Sequence, residues 1–404
     1  MPKIEYDPYS HAVHDDPYVH YAKLREQEPV YFNEQHKFWL LTKWEHCHAV
    51  FRDFKSFSSK EGPALEANAN QGEGSLYPMF IASDPPRHTQ LRRVVSQHFT
   101  PTYIANLEDY VRDKARALIN QHLASGAMDM VQDFSALLPM DVIATMIHVP
   151  AEDQDRVRGW ADDLIHREDG QSESSERQVT GYLNLGNYFD KLATERALLP
   201  HDPNDLFSCI LQAEKEGLMA HNDVVGFGIL LAVAGNETTT KLIGNAVYRL
   251  WQHPEQRQLL IDDPEKIPDA VEEILRFDGS SQIIGRLCVK DTVIGGKTIK
   301  AGDRVGLAII SASRDEDHFP NANTFDVTRG ERAHMAFGFG IHGCLGSALA
   351  RLEIRVCLEE ILRLIPDYVI DTDGLQRTYN PNIRGYTHIP VNFPAGQQQQ
   401  VVNA

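Results

Sequence analysis

Four short stretches of the chain gather residue types that do chemistry at spacings that bring them together. FGFGIHGCLG, residues 337–346, sets Cys344 among four glycines, two phenylalanines and His342. A single thiol in such a loop suits a thiolate ligand, because a helix starting near Cys344 would offer it unpaired N–H groups and a positive dipole end. AGNETT, residues 234–239, closes the apolar run FGILLAVAG and places an acid, Glu237, beside an alcohol, Thr238. A glycine within a helix costs about 1 kcal/mol relative to alanine, so Gly235 predicts a local opening, and Thr238 can bond back to a preceding carbonyl. EEILR holds Glu273 and Arg276 three apart on one helical face, and DPPRHTQLRR, residues 84–93, holds His88 and Arg92 four apart, aimed at one anion.

Each stretch alone also has a plainer reading. AGNETT could edge an ordinary core helix, and an exposed pair such as Glu273–Arg276 is worth only about 0 to 1 kcal/mol. A solvated basic face would explain Arg92 and Arg93, and for Arg93 it is the preferred reading. Gly338, Gly340 and Gly343 spell GxGxxG, a dinucleotide-binding fingerprint, yet RGERAHMA ahead of it has little strand character. EHCHAVF looks like a metal cluster, but His46, Cys47 and His48 are consecutive on a helical pattern and diverge. NET at 236–238 matches a glycosylation site inside a helical run and is set aside.

These stretches need a scaffold, and periodicity predicts a mainly α chain with a smaller β-rich part. A helix is expected near Pro17 to Gln27, then strands VYF and FWLLT around a turn at Asn33 to Lys37, and a short helix from Lys43 to Phe54. Residues 56–86 are rich in Gly, Asn, Glu and Pro and read as a long binding loop. Helical patterns dominate from Arg87 to about Phe277, interrupted by a surface loop at 167–178. Strand-like pieces follow in LCVKDTVIGGKTIKAGDRVGLAII, and a last helix runs from near Cys344 to Leu364, stopped by Pro366. With no repeat or dividing linker, residues 1–404 read as a single domain. Residues 1–16 are expected to be an extended segment and 395–404 a disordered tail.

Composition narrows the function class. The 404 residues are 42% hydrophobic and 24% charged, as in a folded globular protein. A net charge of −18 disfavours nucleic acid and anionic membranes as partners, since both require a basic surface. The N-terminus lacks signal-peptide character, and the longest apolar run, residues 227–235, is far short of a bilayer span. A cytoplasmic location is therefore expected. Five scattered cysteines do not suggest a disulfide framework.

A thiolate ligand to haem iron would suit the cysteine loop, because such a ligand favours O–O cleavage and needs a shielded, hydrogen-bonded site. Phe337, Gly340, His342, Cys344 and Gly346 fit FxxGxHxCxG, and here the chain resembles the cytochrome P450 family; the other three stretches follow in that family's order. The resemblance implies the P450 fold and a soluble, bacterial-type haem-thiolate monooxygenase carrying haem b (iron protoporphyrin IX), with Cys344 as proximal ligand. It implies that Glu237 and Thr238 are the catalytic acid and alcohol. Ala234, Gly235, Phe337, Gly338 and Gly346 lie against the haem, and His88, Arg92, Arg286 and His342 bind its propionates. Glu273, Arg276 and Arg329 form a buried structural ion cluster.

The same resemblance implies electrons from a ferredoxin and its reductase, an apolar small-molecule substrate (terpenoid, steroid or fatty-acid-like) and a monomer. Gly340 and Gly343 are expected to take backbone angles barred to other residues, and Gly346 to spare the following helix from crowding. Ile81, Leu231, Ala234, Ile283 and Ile284 are expected to line the substrate pocket, with Gln282 as a polar handle. Arg92, Arg93, Arg332, Arg351 and Arg355 are expected to form a local basic patch for the ferredoxin. A hydrogen-peroxide-dependent peroxygenase and a non-enzymatic haem sensor are the rival functions.

Overall fold

In the computed structural model, which describes residues 4–65, 72 and 74–396, the chain is built around one helix, His221–Gln252. This central helix is apolar on nearly every face over Val224–Ala232 and again over Leu242–Val247, so it is buried all round rather than along one stripe. Leu138–Ile147, Ala151–Ile165, Glu176–Arg196, Ile267–Asp278 and Ser347–Leu364 all pack against it and form the main core. The stretch Met130–Ile147 has the length and hydropathy of a membrane span, but most of it is buried in this core.

A five-stranded sheet carries the β-rich part. Its strand order is Val30–Asn33, Phe38–Leu41, Arg304–Ala308, Ile283–Cys288, Phe57–Ser58, and only the Phe38–Leu41 pairing with Arg304–Ala308 is parallel. The expected hairpin at Asn33 to Lys37 forms: Lys37 takes φ 54°, and the Asn33 side chain accepts from the N–H groups of Gln35 and His36. Both faces are covered. Phe38, Leu40, Ile283 and Ala308 pack on Tyr6, Tyr21 and Leu24, whereas Leu41, Val305, Leu307 and Cys288 pack on Cys47, Val50 and Phe51.

Several boundaries differ from expectation. The N-terminal segment is not wholly extended, because His11–Asp15 forms one helical turn. The loop near 167–178 ends earlier: Ser175 and Gln178 form a reciprocal capping box that starts the Glu176–Arg196 helix. The last helix begins at Ser347, with Gly346 as its N-cap, so Cys344 lies in the turn before it. Part of the long loop, residues 66–71 and 73, and most of the tail, 397–404, lie outside the described residues.

Candidate active site

The central helix is buried along most of its length, yet Ala234 is exposed and Val233, Gly235 and Thr238 are partly so. This window faces open space within the fold. The expected opening at Gly235 does not occur, since the helix runs unbroken from His221 to Gln252. Gly235 has another reason: a Cβ there would come within 3.0 Å of the Ile143 side chain, so glycine lets the Leu138–Ile147 helix approach closely. Thr238 does bond back as expected, its Oγ1 donating to the Ala234 carbonyl at 2.8 Å. Glu237 points the other way and is buried, with Lys241 Nζ 3.5 Å from its Oε2.

The cysteine loop folds tightly against the Trp44–Arg52 helix. Gly338 and Gly340 take φ 62° and 70°, and a Cβ on Gly340 would meet the Phe51 carbonyl at 2.6 Å. Gly343 does not share this conformation; its φ is −49°, open to any residue. At Gly346 an added Cβ touches no protein atom, so crowding of the helix start does not call for glycine there. The Cys344 N–H donates to the Phe337 carbonyl at 2.8 Å, closing the loop on itself. The sulfur is accessible although protein surrounds it. Those surroundings push its pKa up, while the Gly346 N–H and the guanidinium groups of Arg92 and Arg351 favour the thiolate. No strand precedes the loop, which removes the dinucleotide reading.

Beside this loop the structure gathers four groups that favour anions. The rings of His88 and His342 lie 4.0 Å apart, and three of their nitrogens, both of His88 and Nε2 of His342, are buried without a hydrogen-bond partner. Burial, with Arg92 and Arg286 as cationic neighbours, holds both imidazoles well below the usual histidine range, and His88 adds to the lowering of His342. Burial also draws Arg286 down to about 10, opposed by Asp84. Arg92 donates to the Gly343 carbonyl at 2.7 Å, tying the Arg87–Ser96 helix to the cysteine loop. Buried donors left this short of acceptors suit a group bringing its own carboxylates. Together with the open space beside Gly346 and an exposed Cys344, they fit a haem.

The loop is held from behind by Glu273 and Arg276, both fully buried and joined by two hydrogen bonds of 2.7 and 2.8 Å. Arg276 also donates to the carbonyls of Ser313, Ala322 and Thr324, and Arg329 Nε stands 3.2 Å from the same Glu273 carboxylate. These contacts pin the segment leading into the cysteine loop, as expected of a structural cluster.

The pocket residues divide. Ala234 and Leu231 lie one turn apart on the central helix, Ile81 is partly buried beside it, and Ile284 shares its strand face with Arg286. Ile283 points to the opposite face and packs on the N-terminal helix, because side chains alternate along a strand. Gln282 is no polar handle: it is buried, with its amide directed at His14 and the Pro381 carbonyl. The basic patch is also thinner than expected. Arg351 is held bidentately by Glu272, and Arg355 by Glu108 and Glu359; Arg332 is exposed but stands 3.7 Å from Glu272, and Arg93 is exposed. Cys47 is buried between unclustered histidines and donates to the Leu41 carbonyl, and Asn236 is buried, so neither metal binding nor glycosylation uses these residues.

One carboxyl near the window was not singled out from sequence. Glu353 is buried on the Ser347–Leu364 helix beside Thr239, and burial raises it to about 8. Its signal was available, since Leu349, Val356 and Cys357, at helical spacing around it, are apolar.

Comparison with known proteins agrees with this geometry. The family model described as Cytochrome P450 matches residues 267–365. A Mycobacterium tuberculosis chain named as cytochrome P450 123 is 37% identical over 98% of both chains, and cytochrome P450 109 of Bacillus spizizenii is 34% identical over 93% of this chain and 92% of its own. The crystal structure of CYP109E1 from Bacillus megaterium, in complex with testosterone, superposes with a TM-score of 0.87 at 30% identity, covering 94% of this chain and 98% of that one.

Proposed function

The chain belongs to the cytochrome P450 family and is an oxygen-incorporating oxidoreductase of the bacterial type, and from that premise we propose that it hydroxylates an apolar small molecule using haem b and electrons from a ferredoxin and its reductase. One observation carries the reading: the only accessible stretch in the middle of the central helix holds Ala234 and Thr238, with Glu237 buried directly behind. When bound, the haem supplies the redox chemistry that places one oxygen atom of O2 in a C–H bond and the other in water.

The protein's own groups would act as follows. Cys344 provides the thiolate ligand, steadied by the Gly346 N–H and by Arg92 and Arg351. His88, Arg92, Arg286 and His342 neutralise the propionates. Thr238 holds a hydroxyl in the window, where it can pass a proton on, and Glu237 stores the proton to be passed. Ile81, Leu231, Ala234 and Ile284 exclude water from the substrate side. A steroid-sized apolar substrate is supported by the relative solved with testosterone.

The carbon monoxide difference spectrum of the reduced protein tests the ligand: the long-wavelength Soret band of a thiolate-ligated haem is expected, and Cys344→Ser should abolish it. Apolar compounds should then shift the spin state, and product should form with NADPH, reductase and ferredoxin. Turnover with peroxide alone would favour a peroxygenase, and haem binding with neither a spin shift nor turnover would favour a sensor.

A further inference from the structure

Glu272 and Glu273 are neighbours on the Ile267–Asp278 helix, and while Glu273 belongs to the cluster behind the cysteine loop, Glu272 has partners of its own. It is 1% exposed and accepts from Nε and Nη2 of Arg351 at 2.6 and 2.9 Å and from His334 Nε2 at 3.0 Å. The Ala336 N–H donates to His334 Nδ1 at 3.3 Å, which leaves the ring proton on Nε2, where Glu272 takes it. Burial opposes a charge on Glu272, but His334 and Arg351 outweigh it and bring the carboxyl down to about 2, so it is ionised at neutral pH.

Arg351 carries this anchor to the cysteine loop. It lies near the start of the Ser347–Leu364 helix, and its guanidinium carbon stands 4.5 Å from the centre of the Phe337 ring. Phe337 is the residue whose carbonyl takes the Cys344 N–H at 2.8 Å. The ring face holds the planar cation on one side, and the Glu272 carboxylate fixes its edge through two parallel bonds. A cation and an anion are thus fixed relative to each other, and the cation is the member that touches the loop. Arg332, the other guanidinium near Glu272, stands 3.7 Å away and is 62% exposed.

We propose that the charge of Arg351 raises the reduction potential of the thiolate-bound haem, and that Glu272, itself held by His334, positions Arg351 on Phe337 and offsets part of that charge. This deepens the proposed function and rests on its haem-thiolate reading. Uptake of one electron from the ferredoxin adds negative charge beside the sulfur, which a fixed cation favours and a fixed anion opposes. No bond forms or breaks in this effect and no proton moves. Arg351 and Glu272 are positioning residues, not catalytic ones.

Potentiometric titration of the haem-loaded protein tests the pair. Arg351→Met keeps apolar length over Phe337 but loses the charge, and should lower the equilibrium constant for one-electron reduction at least about threefold, read as about 28 mV at 59 mV per tenfold change. Glu272→Gln keeps an oxygen acceptor for Arg351 but loses the opposing charge, and should move the potential upward. Arg351→Lys keeps the charge without the planar fork and should recover less than half of the loss. Arg332→Met removes a charge that solvent already screens and should move the potential far less than Arg351→Met. Shifts of one sign in Arg351→Met and Glu272→Gln, or an Arg332→Met shift as large as that of Arg351→Met, overturn the proposal, and full recovery in Arg351→Lys overturns the positioning by Glu272. A purely structural role would lower the thermal midpoint and leave the potential in place, so an unmoved potential in a folded Arg351→Met variant overturns the proposal as well. Failure of the haem-thiolate reading would show separately, as absence of the thiolate Soret band from the carbon monoxide spectrum of the unsubstituted protein.

Discussion

Arg276 grips Glu273 through both carboxylate oxygens, at 2.7 and 2.8 Å, with neither side chain exposed to solvent. Burial on this scale makes the pair costly to break. Removing one partner strands the other charge, a loss of about 3–5 kcal/mol. Arg276→Ala should therefore lower the thermal midpoint sharply and reduce haem retention, because the carbonyls of Ser313, Ala322 and Thr324 lose their donor as well. Arg276→Lys should rescue little, since one ammonium cannot reproduce the fork. Differential scanning calorimetry with haem quantitation checks both variants.

Gly340 and Gly346 lie six residues apart and should respond oppositely to alanine. At Gly340 the left-handed φ of 70° and the Phe51 carbonyl both exclude a Cβ, so Gly340→Ala should cost more than about 1 kcal/mol of stability even without haem. At Gly346 no protein atom opposes the methyl group. Gly346→Ala should leave the haem-free protein within about 0.5 kcal/mol of the unsubstituted one but weaken haem retention. Equal effects of the two on the haem-free protein would refute the assignment of the Gly346 face to haem.

Much of this site was legible because its motifs are local. Glu273 and Arg276 meet across one helical turn, and the cysteine loop carries its signal within ten residues. The misreadings came from contacts that no local spacing encodes. A six-residue strand with both faces covered does not announce which face meets the pocket, so Ile283 turns out to face away from it, and Gln282, just ahead of the strand, directs its amide to His14 and the Pro381 carbonyl. Gly235 looked like a helix opener until Ile143, on another helix, supplied its partner.

Thr238 offers a cleaner test of proton delivery than Glu237, whose burial mixes structure with chemistry. Its hydroxyl makes one protein contact, to the Ala234 carbonyl at 2.8 Å. Losing that bond costs stability only about 0.5–1.5 kcal/mol. Thr238→Ala should therefore fold and bind haem while the ratio of product to NADPH consumed falls severalfold, and Thr238→Ser should restore it. Coupling that stays intact in Thr238→Ala would argue against the monooxygenase assignment.

Glu353 gives the protein a pH signature of its own. Burial raises its carboxyl from the ordinary 4.5 to about 8, with only Thr239 opposing. Between those values the folded state holds a proton that the unfolded state has released, so stability falls as pH rises. Below about 4.5 both states are protonated, and above about 8 both are ionised, so this contribution flattens at each end. Within the window the slope should reach up to about 1.4 kcal/mol per pH unit. Glu353→Gln, which keeps the shape but cannot ionise, should remove that slope and stabilise the protein most at and above about pH 8. Urea unfolding at intervals from pH 5 to 9 measures it, and parallel curves for the two proteins would show that Glu353 is already ionised in the fold.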